Sequence, residues 1–446
     1  MKCPREVQLI FSELRKHGHQ GWVVGGAIRD FYNGNKPDDY DIATTALPEE
    51  IEEIFERTIP TGKEHGTITV LVSSKVIEVT TLRVEKEYSD YRHPDQVEFT
   101  SNIVKDLERR DFTINAMAYN DIDGLIDPFE GKNDLDKKVV RSVGCAKERF
   151  LEDPLRMLRA VRFAVTLGFE IEESTYKAIE ELSSMLRHIS NDRIGQEMVK
   201  LFSCQKPSKG IQIIVDTGLV NKIIPELIPM INFEQNNPHH DLDVYKHSLC
   251  VIDSTRKEII LKLAALFHDI AKPKTYVEKD GIGHFYGHEE ESANMAINIM
   301  DRWRINKASQ DKVAELINRH LRLPNPENKF KVKKFISEVG LDTIDLLSEL
   351  MIADRVCKSP PYDFEEIYRL KFVINEILKE EEPLKVTDLK VNGNDMIEIG
   401  YKGKSIGEVL NSLLTIVLDH PRLNDKEYLM QKATEWHEKS KNSKKK

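Results

Sequence analysis

The hydrophobic pattern changes period near Pro154, and that change leaves few architectures open. Before it, short runs rich in β-branched residues recur at GWVVGG, GTITVLV, VIEVTTL and VEFT, and AMAYNDIDGLIDPF reads as a hairpin turning at Asp123-Gly124. After it, LRMLRAVRFAVTLGF, STYKAIEELSSMLRHI and RIGQEMVKLF carry apolar residues at three- and four-residue spacing, which predicts amphipathic helices. An α+β fold follows: a head with a mixed sheet and helices over 1–145, then an all-α remainder. Polar, Pro-containing stretches at NFEQNNPHHDLD and EEEPLKVTDLKVNGND divide that remainder into 146–235, 236–375 and 376–446.

The bulk balance excludes several classes. With 446 residues, 40 % hydrophobic and 31 % charged, the chain is too apolar for disorder, and no window approaches the roughly 18 consecutive apolar residues of a membrane span. No signal-peptide pattern opens it, so a cytoplasmic location is expected. Cys3, Cys145, Cys204, Cys250 and Cys357 are scattered and never in a CxxC arrangement, which argues for free buried thiols over disulfides or a zinc ribbon. A net charge of −10 weighs against nucleic acid, but the basic residues are clustered, in NKFKVKKF, between Arg156 and Arg162, and in the terminal KSKNSKKK, which reads as a solvated end.

Chemistry first shows at GWVVGGAIRDFYNGNKPDDYDIATT, Gly21 to Thr45. Gly25 and Gly26 follow a strand-like run, where they permit a tight turn and a close backbone approach to a ligand. Arg29 then falls in the first turn of a helix, a place that favours anions. Asp39 and Asp41 are two apart, so on an extended strand they present two carboxylates to one hard cation. Glycine turn, arginine and aspartate pair together specify a site for a divalent metal and a triphosphate; two aspartates alone would more often be a surface turn. Glu78, inside VIEVTTLR, either completes the carboxylate cluster or faces outward.

GGAIRD with DDYDIATTA, then RRDFTINAMAY (Arg109 to Tyr119), then EDPLRMLRAVRFA (Glu152 to Ala164) resembles the class II tRNA nucleotidyltransferases, the CCA-adding enzymes, and their relatives the bacterial poly(A) polymerases. The resemblance implies a nucleotidyltransferase-fold head and a helical neck that reads the incoming base. It implies Asp39 and Asp41 as catalytic Mg²⁺ ligands, Gly26 and Arg29 on the triphosphate, and Arg110 with Asp111 near the ribose. Asp153, Arg156, Arg159 and Arg162 recur every third residue, so on one helix they form a slowly drifting polar stripe about 13 Å long, the reach from a base edge to its terminal phosphate. Cytosine and adenine each offer an amino donor beside a ring-nitrogen acceptor. A carboxylate at Asp153 beside a guanidinium at Arg156 matches that order and opposes guanine and uracil. The bland alternative is an exposed i, i+3 salt bridge.

The implied activity is addition of CCA to tRNA from CTP and ATP, with tRNA gripped at its 3′ end and acceptor or elbow region. The polar stretch Val84 to Gln96, containing Asp90 and Arg92, resembles the loop that accompanies the change from C to A addition, although its wording departs from the usual one and individual roles are not carried over. An A-adding enzyme or poly(A) polymerase is the nearest alternative. Further on, His247, His268-Asp269, His288, His320 and Asp354 resemble an HD domain, which implies a second divalent metal and raises a metal-dependent phosphohydrolase as another reading. A non-catalytic RNA-binding protein would not need the aspartate pair. The segment after Leu389 resembles the tRNA-gripping tail of the same enzymes, or is a plain helical cap.

Overall fold

A computed structural model describes residues 3–86, 88–91, 94, 96–236 and 241–443. By its internal contacts the chain divides into two units, Met1–Ile228 with Ile299–Ile305, and Pro229–Asn298 with Asn306–Lys446.

The first unit is built on a seven-stranded sheet. Its strands are β1 (Gly21–Val24), β2 (Asp41–Thr44), β3 (Thr58–Gly62), β4 (Thr67–Val72) and β5 (Lys75–Thr81), and, after a separate antiparallel ribbon of β6 (Arg83–Lys86) and β7 (Gln96–Phe99), β8 (Ala118–Asn120) and β9 (Gly124–Ile126). The order is β3-β4-β5-β2-β1-β8-β9. β2 and β5 run parallel and the other pairs antiparallel, so the sheet is mixed as expected. Trp22, Val24, Ala43, Leu82, Leu107, Ala116 and Ala118 form a buried cluster that fixes the central strands against the helix Ile103–Glu108. The hairpin at β8-β9 turns where Asp123-Gly124 places it, with Gly124 at φ 72°. β6 departs from expectation: Arg83–Lys86 lies in a segment whose charge reads as loop, yet it pairs residue for residue with β7. Arg83 and Glu85 meet each other, and Arg109 from a later segment joins them, as described below. Arg92 lies outside the described residues.

Helices Ala146–Glu152, Leu155–Leu167, Glu173–Leu182, Asn191–Phe202 and Ser208–Asp216 follow in this unit. The second unit is helical, as its periodicity requires, apart from a hairpin of Tyr276–Lys279 and Ile282–Phe285. Asp280 and Gly281 turn it with φ of 55° and 75°, the positive angles that an Asp-Gly hairpin turn supplies. Helices Gly393–Ile399, Lys404–Asp419 and Lys426–Ser443 end the chain.

Candidate active site

β1 delivers the chain to Gly25, which has φ 70° and ψ −130°, a conformation open to almost no other residue. A Cβ on Gly25 would meet Nη1 of Arg110 at 3.2 Å, and one on Gly26 would meet Nη2 of Arg29 at 3.4 Å. The paired glycines therefore make room for two guanidinium groups at the end of the strand. Beside them, Asp41 opens β2 opposite Val24, and the parallel register places Glu78 of β5 next to it. Asp39 lies two residues ahead of the strand and is exposed. Partial loss of hydration raises the Asp41 carboxyl above its ordinary value, the charges of Glu78 and Asp39 raise it further, and Arg110 opposes them. Glu78 thus belongs to the carboxylate cluster.

This set fits a hard divalent cation. Its negative charge is incompletely compensated, and its donors are carboxylate oxygens. Among the described residues, sets of three donor atoms within 4.8 Å of one another gather around His268 and not here. Open coordination positions of this kind suit Mg²⁺, which keeps several waters and binds through one or two carboxylates plus substrate phosphates.

A cleft of about 460 Å³ adjoins the cluster, lined by Glu78, Arg83, Tyr88, Arg109, Asp153 and Arg156 among others. Here the expected continuous stripe is corrected. Asp153 is not on the helix of the arginines: it caps the end of Ala146–Glu152 with φ −142° and ψ 97°, and the next helix starts at Leu155. Pro154 is the cause, because its ring disfavours helical geometry in the residue before it. Asp153 and Arg156 are also not a salt-bridged pair. Asp153 is held bidentately by Arg193, Nη1 to Oδ1 at 3.2 Å and Nη2 to Oδ2 at 2.7 Å, and Oδ1 accepts the Leu155 N–H. Arg156, nearly buried, donates to Glu152 at 2.6 Å and to the carbonyls of Arg149 and Arg109 at 3.2 Å each. Both side chains reach the cleft already fixed by the protein.

Two buried acids organise the arginines around the cleft. Asp106, 1 % exposed, accepts from Arg109 and Arg110; burial alone would raise its carboxyl, but the two guanidinium charges hold it below the ordinary value. Glu85 of β6 accepts from Arg83 at 2.8 Å, Arg109 at 3.0 Å and Tyr88 at 2.5 Å. It too is held low, its burial being outweighed by Arg109 and Arg83. Those contacts satisfy the charges of Arg83 and Glu85.

Along Leu155–Leu167 every arginine is paired with a carboxylate. Arg159 donates twice to Asp111, at 3.0 and 2.7 Å, and Arg162 donates to Glu197 at 2.5 Å. Asp111 also accepts from Asn115 at 3.0 Å, and Asn115 in turn accepts from Arg29 at 2.7 Å. Arg29, Arg159 and Arg162 surround the Phe163 ring, at 5.1, 5.4 and 4.0 Å from its centre. Arg29 and Asp111, 82 positions apart by their numbers, are thus members of one network. Sequence reasoning missed Arg193, Glu197, Asn115, Asp106 and Glu85. Arg193 and Glu197 did carry a signal, since four residues apart on Asn191–Phe202 they face the same way.

In the second unit His247, His268, Asp269, His288, His320 and Asp354 converge, each no more than 6 % exposed. Nε2 of His247 is 3.0 Å from Asp354, and Nε2 of His268 is 3.1 Å from Asp269 and 3.6 Å from Asp354. His288 and His320 approach Asp269 at 3.3 and 3.9 Å. Every Nδ1 lies within hydrogen-bond distance of a backbone carbonyl, those of Cys357, Ala265, Phe285 and Ile317 in turn. That pattern fixes the tautomer which leaves Nε2 as a ligand. Nε2 of both His268 and His288 is buried without a hydrogen-bond partner. Burial would lower His268, but Asp269 and Asp354 carry it up to about 9, while burial and the His268 charge push His320 down to about 3. Imidazole nitrogens and carboxylate oxygens gathered this closely suit a transition metal ion. Lys272 contacts Asp269 at 2.7 Å and Lys358 contacts Asp354 at 2.5 Å.

The expectation of free buried thiols is corrected in the same unit. Cys250 and Cys357 form a disulfide, Cys3 is free and buried, Cys145 is exposed and Cys204 half-buried. The bonded pair is 107 residues apart, so only the meeting of two helices reveals it.

Residues 21–141 match the poly A polymerase head domain, 168–231 the probable RNA and SrmB-binding site of polymerase A, and 239–359 the HD domain. The chain is 33 % identical to a CCA-adding enzyme of Ligilactobacillus salivarius over 95 % of its own length and 94 % of the relative's, and 32 % identical to one of Geobacillus stearothermophilus over 96 % of each. A match to the CCA-adding enzyme of Bacillus velezensis reaches 46 % identity but spans only 54 % of that protein. Among solved structures, the Bacillus stearothermophilus CCA-adding enzyme in complex with CTP superposes with a TM-score of 0.72 at 28 % identity, over 99 % of this chain and 100 % of that one. A mixed-sheet head carrying paired carboxylates, followed by these helical domains, defines a nucleotidyltransferase. The chain belongs to the family of CCA-adding enzymes. Among the described residues no helix is long and apolar enough to cross a membrane.

Proposed function

We propose that the chain builds or repairs the 3′-terminal CCA of tRNA in the cytoplasm, from CTP and ATP and without a nucleic acid template. The observation that supports this reading is Asp41 in register with Glu78, which lines the same cleft as Asp153 and Arg156. Asp39 and Asp41 hold Mg²⁺, which when bound neutralises phosphate charge and lowers the pKa of the attacking hydroxyl. Gly26 and Arg29, whose guanidinium fills the space beside that glycine, bind the triphosphate and offset charge as pyrophosphate departs. Asp111 fixes Arg159, and with Arg110 it borders the ribose.

Base choice follows from what Asp153 and Arg156 have left to offer. Oδ1 of Asp153 accepts two hydrogen bonds and Oδ2 one, which leaves a lone-pair site on Oδ2 for an exocyclic amino group. Arg156 retains N–H donors beyond its three bonds, for the ring nitrogen of cytosine or adenine. Uracil and guanine present the opposite order. Residues 146–235 act as the base-selecting neck, 236–375 as an HD-type body and 376–446 as the tRNA-binding tail. The buried His and Asp cluster holds a divalent transition metal that stiffens the body; with every ligand so deeply buried, this reading is favoured over phosphoester hydrolysis.

The test supplies each labelled nucleoside triphosphate separately, with Mg²⁺, to tRNAs ending before CCA, after C and after CC. C and A should enter only the matching ends, and Asp39→Ala with Asp41→Ala should abolish both. A alone would indicate an A-adding enzyme, and long A tracts a polymerase. Incorporation that survives the double substitution refutes the site.

A further inference from the structure

We infer that Cys250 and Cys357 are a thiol-exchangeable redox pair that braces the buried His and Asp cluster, so that small thiols and disulfides set its grip on metal. This rests on the metal reading of that cluster. His247 and Cys250 are three residues apart on helix Val244–Asp253, while Asp354 sits in the last turn of the helix Leu341–Val356, three residues before its C-cap Cys357. The disulfide therefore lies one turn from each ligand and runs alongside the 3.0 Å contact between His247 and Asp354. Cys357 is joined to the cluster a second way, because its carbonyl is 3.2 Å from Nδ1 of His247 and sets that imidazole's tautomer. The sulfur bond and the ligand-orienting contact thus share one residue.

The two sulfurs are unequal. Cys250 is half-buried, whereas Cys357 is 7 % exposed and its Sγ lies 3.5 Å from the Ser254 hydroxyl. An incoming thiolate attacks Cys250, the more exposed residue of the two, forming a mixed disulfide as the Cys250–Cys357 bond breaks. The electron pair leaves on Cys357, where the Ser254 hydroxyl can donate to the new thiolate before it takes a proton. A second small thiolate then attacks the outer sulfur of the mixed disulfide, frees Cys250 and departs as the small-molecule disulfide. Two thiols are oxidised, two protein sulfurs are reduced, and a low-molecular-weight disulfide drives the reverse.

The experiment equilibrates the full-length protein in glutathione buffers of stated reduced-to-oxidised ratio. Alkylation after denaturation counts the thiols, Co²⁺ titration followed by absorption reads the metal, and hydrogen exchange reads residues 244–253 and 350–357. Oxidised protein should label at three cysteines and reduced protein at five. Reduction should weaken Co²⁺ about tenfold or more, as loss of a ligand-orienting contact does, and should speed exchange in both segments. Cys250→Ser should behave as the reduced form in every buffer. Five reactive thiols at every ratio, or unequal redox states with equal Co²⁺ affinity, overturn the proposal. Absence of Co²⁺ binding in both states refutes the metal reading instead, and the brace is then decided by hydrogen exchange, where unchanged rates on reduction refute it.

Discussion

Arg193→Ala isolates the base-reading argument, because Arg193 lines up a carboxylate without belonging to the reacting groups. In the folded chain it supplies two of the three hydrogen bonds to Asp153, and the side chains are 18 % and 15 % exposed. Exposed pairs contribute up to about 1 kcal/mol, and breaking a buried one costs about 3–5 kcal/mol, so a loss near 2 kcal/mol in unfolding free energy is expected for this intermediate case. The functional effect is separate. A well-placed bidentate contact discriminates between bases by about 1–3 kcal/mol, so freeing Asp153 should cut the preference for CTP over UTP by roughly tenfold or more. Arg193→Lys should show the same direction, since an ammonium cannot hold both carboxylate oxygens in a fork. Single-turnover incorporation with each nucleotide, beside urea unfolding of the same preparation, reads both quantities. A variant that loses the stability but discriminates as sharply as the parent would show that the orientation of Asp153 does not choose the base.

Four further outcomes are expected. Asp41→Asn should abolish incorporation yet raise the stability of the metal-free protein at neutral pH: a carboxyl raised in the fold favours the folded state below its unfolded value and loses that contribution as pH rises, and the amide removes the charge altogether. For the same reason Mg²⁺ affinity, followed by calorimetric titration, should fall as pH drops through the raised value. Glu85, Asp106, Asp111 and Glu197 are all held low, Asp111 because Arg159 outweighs its burial and Glu197 because Arg162 outweighs its own. Their contribution is complete above their ordinary values of 4.5 and 3.8 and is lost as pH falls through the lower folded ones, so the urea midpoint of the first unit should decline steeply on acidification below about 4.5. Gly25→Ala should destabilise by about 1–3 kcal/mol from backbone strain and weaken nucleotide binding by pressing on Arg110, read by thermal unfolding and CTP titration.

Local chemistry made much of this molecule legible in its sequence. Period two against period 3.6 separates the mixed-sheet head from the helices, a Gly-Gly turn followed by two aspartates marks the candidate phosphate and metal site, and four histidines with two aspartates, in an order that resembles an HD domain, mark the second cluster. Two features were legible and overlooked: Pro154 forces Asp153 off the following helix, and Asp280-Gly281 turns a hairpin. The rest depends on contacts between distant segments. Parallel pairing of β2 with β5 makes Glu78 a neighbour of Asp41, packing of Asn191–Phe202 against Leu155–Leu167 gives Asp153 to Arg193 and Arg162 to Glu197, and two helices bring Cys250 to Cys357 across 107 residues. Sequence spacing fixes which side chains share a strand or helix face, because backbone geometry is periodic. Which charge meets which is set by the packing of whole elements, and a buried guanidinium takes whatever carboxylate that packing puts within its reach.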